Sequence, residues 1–199
     1  MPEPHRSEAA ERILDTAEQL AQTCGFNGFS YADIAQHLGV TRASLHYHFP
    51  TKAELGRALI ARYRERFAGE LEAIDRRGGK APRKLQRYVA LYHQVMRLDR
   101  MCLCGMFAAE YSTLPPPMQA ELRRFFDVNE HWLAGVLLAG RGTGELAFRE
   151  TPQERARVLV GALEGAMLIA RTYSDDARFR GVARHLLTEL APAGTRLSA

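Results

Sequence analysis

Residues 30–49 read SYADIAQHLGVTRASLHYHF and decide the fold. Ser30 followed by Asp33 is a capping box that opens one short helix, and Gly39 suits its end because glycine adopts the left-handed conformation cheaply. Thr41 is the expected cap of a second short helix. Small or apolar side chains are expected to form the core between the two helices: Ile34, Ala35, Leu38, Val40 and Leu45. This pattern predicts a helix-turn-helix, a motif whose second helix enters the major groove of DNA.

Several side chains of the second helix are left to face DNA. They are Arg42, Ala43, Ser44, His46, Tyr47 and His48. Arg42 is the expected base reader, because a guanidinium group bonds guanine bidentately. Lys52, at the start of the following helix, is a point charge suited to a phosphate. The alternative is that these are ordinary surface residues of a helical hairpin.

The distribution of charge favours the same surface. The chain carries a net charge of +4, which weakly favours a polyanionic partner. Residues 1–41 contain two basic and six acidic side chains, whereas residues 42–66 contain six basic and two acidic ones. A nucleic-acid surface is therefore expected to begin near Arg42. The second basic run, from Arg76 to Arg87, is interpreted as a solvated helix face.

Helical periodicity recurs along the rest of the chain, and strand patterns are nearly absent. The proline-rich segment 114–117 and the glycine-rich segment 140–144 are expected to lie outside helices. The predicted helices cover about 7–24, 30–39, 41–49, 51–75, 82–96, 102–112, 119–138, 151–173 and 177–190. The predicted fold class is therefore all-α, with a helix-turn-helix domain over residues 1–50 and a C-terminal helical domain over residues 51–199.

Several other classes of protein are disfavoured. The longest apolar stretch, Val158–Ala170, contains Glu164 and is too short to cross a bilayer, so no membrane partner is expected. The N-terminus has no apolar export signal, and three cysteines do not form a secreted disulfide framework, so a cytoplasmic protein is expected. An enzyme is the disfavoured rival, because no Ser-His-Asp order, HExxH, Walker or dinucleotide glycine pattern is present. No cofactor and no metal are expected.

The N-terminal residues resemble the tetracycline-repressor (TetR) family. The similarity covers Gly25–Ser30, Ile34–Ala35, Leu38–Val40 and Ser44–Phe49, followed by Lys52 and Leu55. The resemblance implies that Ser30 lies near a phosphate, that residues 41–44 read base edges, and that Tyr47 packs or touches the DNA backbone. It also implies that Lys52 meets a phosphate. His46 stands where members often have tyrosine, which makes a pH-sensitive operator contact an alternative there.

The resemblance also implies a homodimeric repressor that a small-molecule effector releases from a near-palindromic, double-stranded operator. The C-terminal domain would then bind the effector and form the dimer. An activator, or an architectural DNA-binding protein of the same fold that needs no effector, is the alternative.

The sequence offers its own indication of a dimer. Val158–Ala170 is apolar around most of its circumference, so more than one side of this helix must be covered. Small residues spaced for close helix approach, with apolar residues on the ninth helix, suit a two-fold four-helix interface. The predicted interface residues are Gly161, Ala162, Gly165, Ala166, Val182 and Leu186. An intramolecular core helix is the alternative.

Bulky side chains with a few polar groups among them indicate either an effector pocket or an ordinary core. The candidate pocket residues are Tyr88, Tyr92, Met96, Met106, Phe107, Glu110, Phe125, Asn129 and Trp132. Their pattern does not specify the chemistry of the effector.

Cys102 and Cys104 are candidates for a thiol sensor, because Arg97 and Arg100 lie just upstream and positive potential lowers a thiol pKa. The run from Cys102 to Glu110 also resembles a redox-responsive member of the family, the repressor of N-ethylmaleimide reductase. Structural cysteines are the favoured alternative. A soft-metal site with His93 or His131 is the weaker one.

Overall fold

The computed structural model describes residues 7–192, and within that range it contains nine α-helices, one short 3₁₀ turn and no strand. The helices are α1 (Glu8–Cys24), α2 (Tyr31–Leu38), α3 (Arg42–His48), α4 (Lys52–Arg76), α5 (Ala81–Met96), α6 (Leu103–Ala109), α7 (Pro116–Gly142), α8 (Pro152–Thr172) and α9 (Asp176–Glu189). The 3₁₀ turn covers Tyr111–Thr113. The predicted all-helical fold with an N-terminal helix-turn-helix is confirmed. Among these residues, none of the helices combines the length and the apolar character needed to traverse a bilayer.

Capping side chains start two of the predicted helices where the sequence places them. Ser7 Oγ accepts a hydrogen bond of 3.3 Å from the Ala10 backbone N–H at the start of α1. At α8, the Thr151 N–H donates to Glu154 at 2.9 Å, and the Glu154 N–H donates to the Thr151 hydroxyl at 3.2 Å. This reciprocal pair satisfies backbone donors that the first turn of a helix leaves without partners.

Helix α7 is longer than predicted at both ends. It begins at Pro116, slightly before the predicted start. Proline is accepted in the first turn of a helix, because a backbone N–H at that place would have no partner within the helix. It also continues to Gly142, through glycines that were expected to interrupt it. Gly140 does not interrupt the helix but allows neighbouring side chains to pack closely against it. A Cβ there would lie 2.5 Å from the Ala81 Cβ and 2.6 Å from a Leu146 methyl group.

The chain forms two compact units, and the boundaries between them fall inside α4, between α5 and α6, and inside α7. Unit 1 extends to Glu65 and includes Arg100–Phe125, which adds α6 to the helix-turn-helix. Unit 2 comprises Arg66–Asp99 and, among the described residues, 126–192. The domain boundary predicted after residue 50 remains a prediction, because it divides the chain by sequence order rather than by compactness.

One buried arginine joins α4 to α1 within unit 1. Arg62 is 7% exposed, and its guanidinium donates to Glu11 at 2.9 Å, Asp15 at 2.8 Å and Glu18 at 2.9 Å. The three carboxylates share one face of α1, because their spacing of four and then three residues follows the helical repeat. A cluster of four charged side chains therefore holds α1 against α4.

Candidate nucleic-acid interface

Local hydrogen bonds fix the start of α2 and the turn between α2 and α3. The Ser30 N–H donates to the Asp33 carboxylate at 2.7 Å, and the Ala32 N–H donates to Ser30 Oγ at 3.2 Å. The bonds from the Ser30 hydroxyl and N–H hold the pKa of Asp33 below its usual value. Gly39 takes the left-handed conformation at φ +66°, and its N–H donates to the carbonyl of Ala35. The predicted roles of the capping box and the turn glycine are confirmed.

Buried side chains fix the position of the short α3. Ile34 and Leu45 are completely buried and Ala35 is 8% exposed, as the sequence predicts. The Tyr31 hydroxyl, at the start of α2, donates to the carbonyl of Phe49, just after α3, at 2.7 Å. Burial and, to a smaller extent, the negative charge of Glu54 raise the pKa of Tyr31 to about 12. Sequence reasoning missed this tyrosine. It also placed Val40 in the core, whereas Val40 is 38% exposed because it follows Gly39 in the open turn.

The outer face of α3 is open to solvent. Arg42, Ala43 and His46 are exposed, Tyr47 is 84% exposed, and Ser44 is half-buried. Thr41 is exposed and caps the helix, since its hydroxyl accepts from the Ser44 N–H at 3.3 Å. His46 Nδ1 lies 3.1 Å from the carbonyl of Pro50.

A shallow concavity of about 310 Å³ brings together some of the predicted DNA contacts. Ser30, Arg42, His46 and Lys52 line it, with Phe29, Tyr31 and Ala32. Residues from the start of α2, from α3 and from the start of α4 therefore form one continuous surface. Tyr47 and Ala43 do not belong to the lining of this concavity.

Lys52, which the sequence suggested as a point charge for a phosphate, is engaged within the protein. Its ammonium donates to the carbonyls of Phe26, at 2.5 Å, and Phe29. The same nitrogen lies over both rings, 4.5 Å and 4.4 Å from their centroids. Burial lowers the pKa of Lys52, against an opposing effect of Glu110. A phosphate contact would require this side chain to leave its partners.

Other cations of the basic segment 42–66 are also engaged within the protein. Arg62 bonds the three carboxylates of α1, and Arg64 lies 3.6 Å from both Glu65 and Glu121. The count of charges along the sequence therefore overstates the exposed positive charge of this segment. Arg42 and Arg57 are among the cations that stay exposed.

Family comparisons agree with this geometry. Residues 13–59 match the family described as bacterial regulatory proteins, tetR family, and residues 81–186 match the tetracyclin repressor-like C-terminal domain. This chain belongs to the TetR family. It is therefore a transcriptional regulator rather than an enzyme, as the sequence predicts.

The similarity extends over nearly the whole chain. A TetR-family regulator from Agrobacterium tumefaciens is 31% identical, with a TM-score of 0.89 over 92% of this chain and 97% of that chain. The reduced form of E. coli NemR has the same fold, with 24% identity and a TM-score of 0.81 over 94% of this chain and 100% of that chain. The HTH-type transcriptional repressor DhaR of Mycobacterium sp. (strain GP1) is 24% identical over 167 residues, 82% of each chain. The sequence motifs alone placed only the N-terminal part in this family.

Four of the predicted effector-pocket residues belong to unit 1. Phe107 and Phe125 are completely buried, with ring centroids 5.5 Å from Phe26 and 5.6 Å from Tyr63. Met106 is half-buried in α6. The Glu110 carboxylate accepts backbone N–H bonds from the loop between α1 and α2, so it is not available as the polar anchor of a ligand. In unit 1 the core alternative describes this set better than the pocket alternative.

The other predicted pocket residues lie in unit 2. The Tyr88 hydroxyl donates to the Asn129 side-chain oxygen at 2.9 Å and lies 3.0 Å from the Tyr92 hydroxyl. All three residues are at most 2% exposed, and Tyr88 stacks on Trp132 at 5.6 Å. Met96 is half-buried. The polar ends of these three side chains are thus linked by hydrogen bonds, as is usual for buried polar groups.

Trp132 also lines an open cleft of unit 2, with a volume of about 670 Å³. Its indole N–H donates to Asp75 at 2.8 Å, and Lys84 donates to the same carboxyl group at 2.5 Å. Burial raises the pKa of Asp75, but the bonds from Lys84 and Trp132 outweigh it and hold the pKa below its usual value. Val136 and Ala139 contribute apolar lining. The cleft therefore combines an aromatic wall with a fixed ion pair.

The predicted thiol-sensor residues are both buried, Cys102 at 2% exposure and Cys104 at 0%. Reactive thiols lie in accessible, electropositive surroundings, so burial favours the structural alternative for both. The exposed cysteine is Cys24, at the end of α1. Within residues 7–192, no group of three His, Cys, Asp or Glu side chains is arranged to hold a metal ion.

The predicted dimer residues divide between the surface and the core of unit 2. Ala166 and Leu186 are 7% and 8% exposed, so they pack within the unit itself. Gly161 is exposed and Ala162 and Gly165 are half-buried, and a Cβ at either glycine would meet nothing within 4 Å. Val182 is 40% exposed, and α8 adds three exposed apolar side chains: Val158, Leu168 and Ile169. We refer to Val158, Gly161, Gly165, Leu168, Ile169 and Val182 as the apolar strip.

Proposed function

We propose that this TetR-family regulator is a homodimeric repressor. It binds a near-palindromic operator in the cytoplasm through the outer face of α3 and leaves the operator when a small molecule binds unit 2. The observation that carries the proposal is the split character of α3: Leu45 is completely buried, whereas Arg42, Ala43 and Tyr47 on the same helix are exposed. A helix held rigidly by one face and open on the other is what insertion into a major groove requires.

The proposed contacts follow from the placement of each side chain. Arg42 reads base edges, aided by Thr41, Ala43 and Ser44 at the same end of α3. Ser30 and His46 contact the sugar-phosphate backbone of DNA from the concavity that they share with Arg42. Tyr47, at 84% exposure, is available for a contact with the DNA backbone or with a base.

Replacing Arg42 by alanine is expected to weaken specific operator binding by about 1–3 kcal/mol and to relax base preference at one position. Operators selected from random DNA would be titrated against wild type and variant by fluorescence anisotropy at several salt concentrations. Arg149→Ala, at an exposed arginine of unit 2, is the matched control and should bind as wild type does. Equal affinity and unchanged base preference for Arg42→Ala would rule out this base contact.

The effector is proposed to bind in the cleft beside Trp132. Support comes from its volume of about 670 Å³, which lies within the range of small-molecule sites, and from its mixed lining. Binding there would favour a conformation with lower operator affinity, and a coupling of roughly 1–3 kcal/mol corresponds to about 5–150-fold weaker binding.

Compounds that release the operator are expected to change the fluorescence of Trp132, which is the one tryptophan of the chain. A compound library would be screened for operator release, and each active compound would then be titrated by tryptophan emission. Ala139→Arg fills the cleft from an exposed position and should abolish both responses while operator affinity is kept. Release that leaves the emission unchanged and survives Ala139→Arg would place the effector elsewhere.

A further inference from the structure

The loop between α1 and α2, residues 25–30, is held by two charged side chains of opposite sign. Lys52, at the start of α4, donates to the carbonyls of Phe26 and Phe29. Glu110, just after α6, accepts from the N–H groups of Phe26 at 2.6 Å and Asn27 at 3.2 Å. The cation therefore neutralises carbonyl dipoles, and the anion neutralises amide dipoles of the same loop. Charge-assisted hydrogen bonds of this kind are stronger than neutral ones.

The approach of Glu110 to the loop leaves little space. A Cβ at Gly25 would lie 2.7 Å from the nearer Glu110 carboxylate oxygen, and Gly25 has the left-handed φ of +79°. The Asn27 side-chain amide also donates to the Thr113 hydroxyl at 2.8 Å. The segment that follows α6 thus contacts the loop through two side chains, and their geometry permits little displacement of the loop.

The loop leads directly into the DNA-facing surface. Its last residue, Ser30, caps α2 and lines the same concavity as Arg42. Phe26 and Phe29 are 6% and 4% exposed, so these rings anchor the loop in the core of unit 1. A shift of the loop would therefore shift the start of α2, and with it the packing that orients α3.

We propose that Glu110 is a positioning residue for DNA recognition, which acts by fixing the α1–α2 loop and hence the orientation of α2 and α3. The inference rests on the proposed function, because it takes the outer face of α3 to be the DNA-reading surface. It assigns the carboxylate to the DNA-binding apparatus rather than to an effector pocket.

This role predicts an effect opposite in sign to simple electrostatics. Removing a negative charge from a DNA-binding unit should strengthen binding to a polyanion. Glu110→Gln keeps the shape of the side chain but turns one acceptor into a donor, so it loses one of the two bonds to the loop. Operator affinity is expected to fall roughly tenfold, as the loss of a charge-assisted bond implies. The slope of affinity against salt should stay unchanged, because no phosphate contact is removed.

The experiment compares Glu110→Gln with Glu8→Gln, which removes one exposed carboxylate from the same unit. Operator affinity would be measured by anisotropy, and amide hydrogen exchange of Phe26 and Asn27 by NMR. We expect weaker binding and faster exchange at these two amides for Glu110→Gln, and neither change for Glu8→Gln. Thr113→Val removes the anchor of Asn27 together with the bond from the Thr113 hydroxyl to the Glu110 carbonyl. It should produce a smaller loss in the same direction and serves if Glu110→Gln does not fold.

The outcomes separate the two proposals. Equal or tighter operator binding by folded Glu110→Gln, or by Thr113→Val if Glu110→Gln does not fold, overturns the positioning role and leaves the regulator assignment intact. Absence of sequence-specific binding by the wild-type chain overturns the proposed function itself.

Discussion

Arg62→Met is expected to lower the free energy of unfolding by about 3–5 kcal/mol, because it removes one partner from a buried ion cluster. Arg62 is 7% exposed, and its guanidinium bonds three carboxylates of α1. Glu18 is itself only 9% exposed, so losing its arginine leaves a negative charge in a poorly solvated position. Glu11 and Asp15 are more exposed, so water can solvate their carboxylates once the arginine is gone. The loss would be measured by urea denaturation followed by circular dichroism.

Two comparisons identify the cause of this loss. Arg57→Met, at an exposed arginine of the same helix, should change the unfolding free energy by no more than about 0.5 kcal/mol. Adding Glu18→Gln to Arg62→Met should recover part of the loss, because the buried charge is then gone. A loss below about 1 kcal/mol for Arg62→Met would show that the cluster contributes little net stability.

Local signals predicted much of the fold. Capping boxes at Ser30 and Thr151 and the left-handed Gly39 are determined by neighbours within a few residues, so the sequence displays them directly. The predicted C-terminal end of α7 was wrong because its cause is not local. Gly140 was interpreted as flexible, whereas it is helical and small because Ala81 and Leu146 pack against it.

The candidate site was predictable only where exposure follows from helical periodicity. The exposure of Tyr47 follows from the burial of Leu45, because residues two apart on a helix point in nearly opposite directions. Lys52 was assigned to a phosphate from its place at a helix start and from the family resemblance, and Glu110 to a pocket as a polar group among bulky ones. Both instead bond the backbone of the α1–α2 loop. Their partners lie 26 and 84 residues away in the chain, at distances where spacing carries no information.

Aromatic periodicity did not distinguish a pocket from a core. The predicted pocket residues divide between the two compact units, and aromatic contacts are found within each unit. Asn129 looked like a ligand anchor because it is polar among apolar residues. Its side-chain oxygen accepts a hydrogen bond from the buried Tyr88, which only the three-dimensional arrangement reveals.

Gly161→Arg is expected to convert the dimer to a monomer and to weaken operator binding by about 10²–10⁴-fold, because two half-sites would no longer be engaged together. The apolar strip on α8 and α9 presents several exposed aliphatic side chains beside two glycines. An arginine on this strip would place an unpaired charge in the interface. The isolated chain should tolerate the change, since nothing lies within 4 Å of a Cβ there and glycine is a poor helix former.

Gly69→Arg is the matched control, because Gly69 is also an exposed helical glycine whose Cβ would meet nothing within 4 Å. Sedimentation equilibrium should give about twice the chain mass of 22.3 kDa for wild type and Gly69→Arg, and the chain mass itself for Gly161→Arg. Unchanged helical content in all three proteins would show that Gly161→Arg acts on association rather than on folding. A wild-type chain that is monomeric at micromolar concentration, or a dimeric Gly161→Arg with full operator affinity, would contradict an interface on the apolar strip.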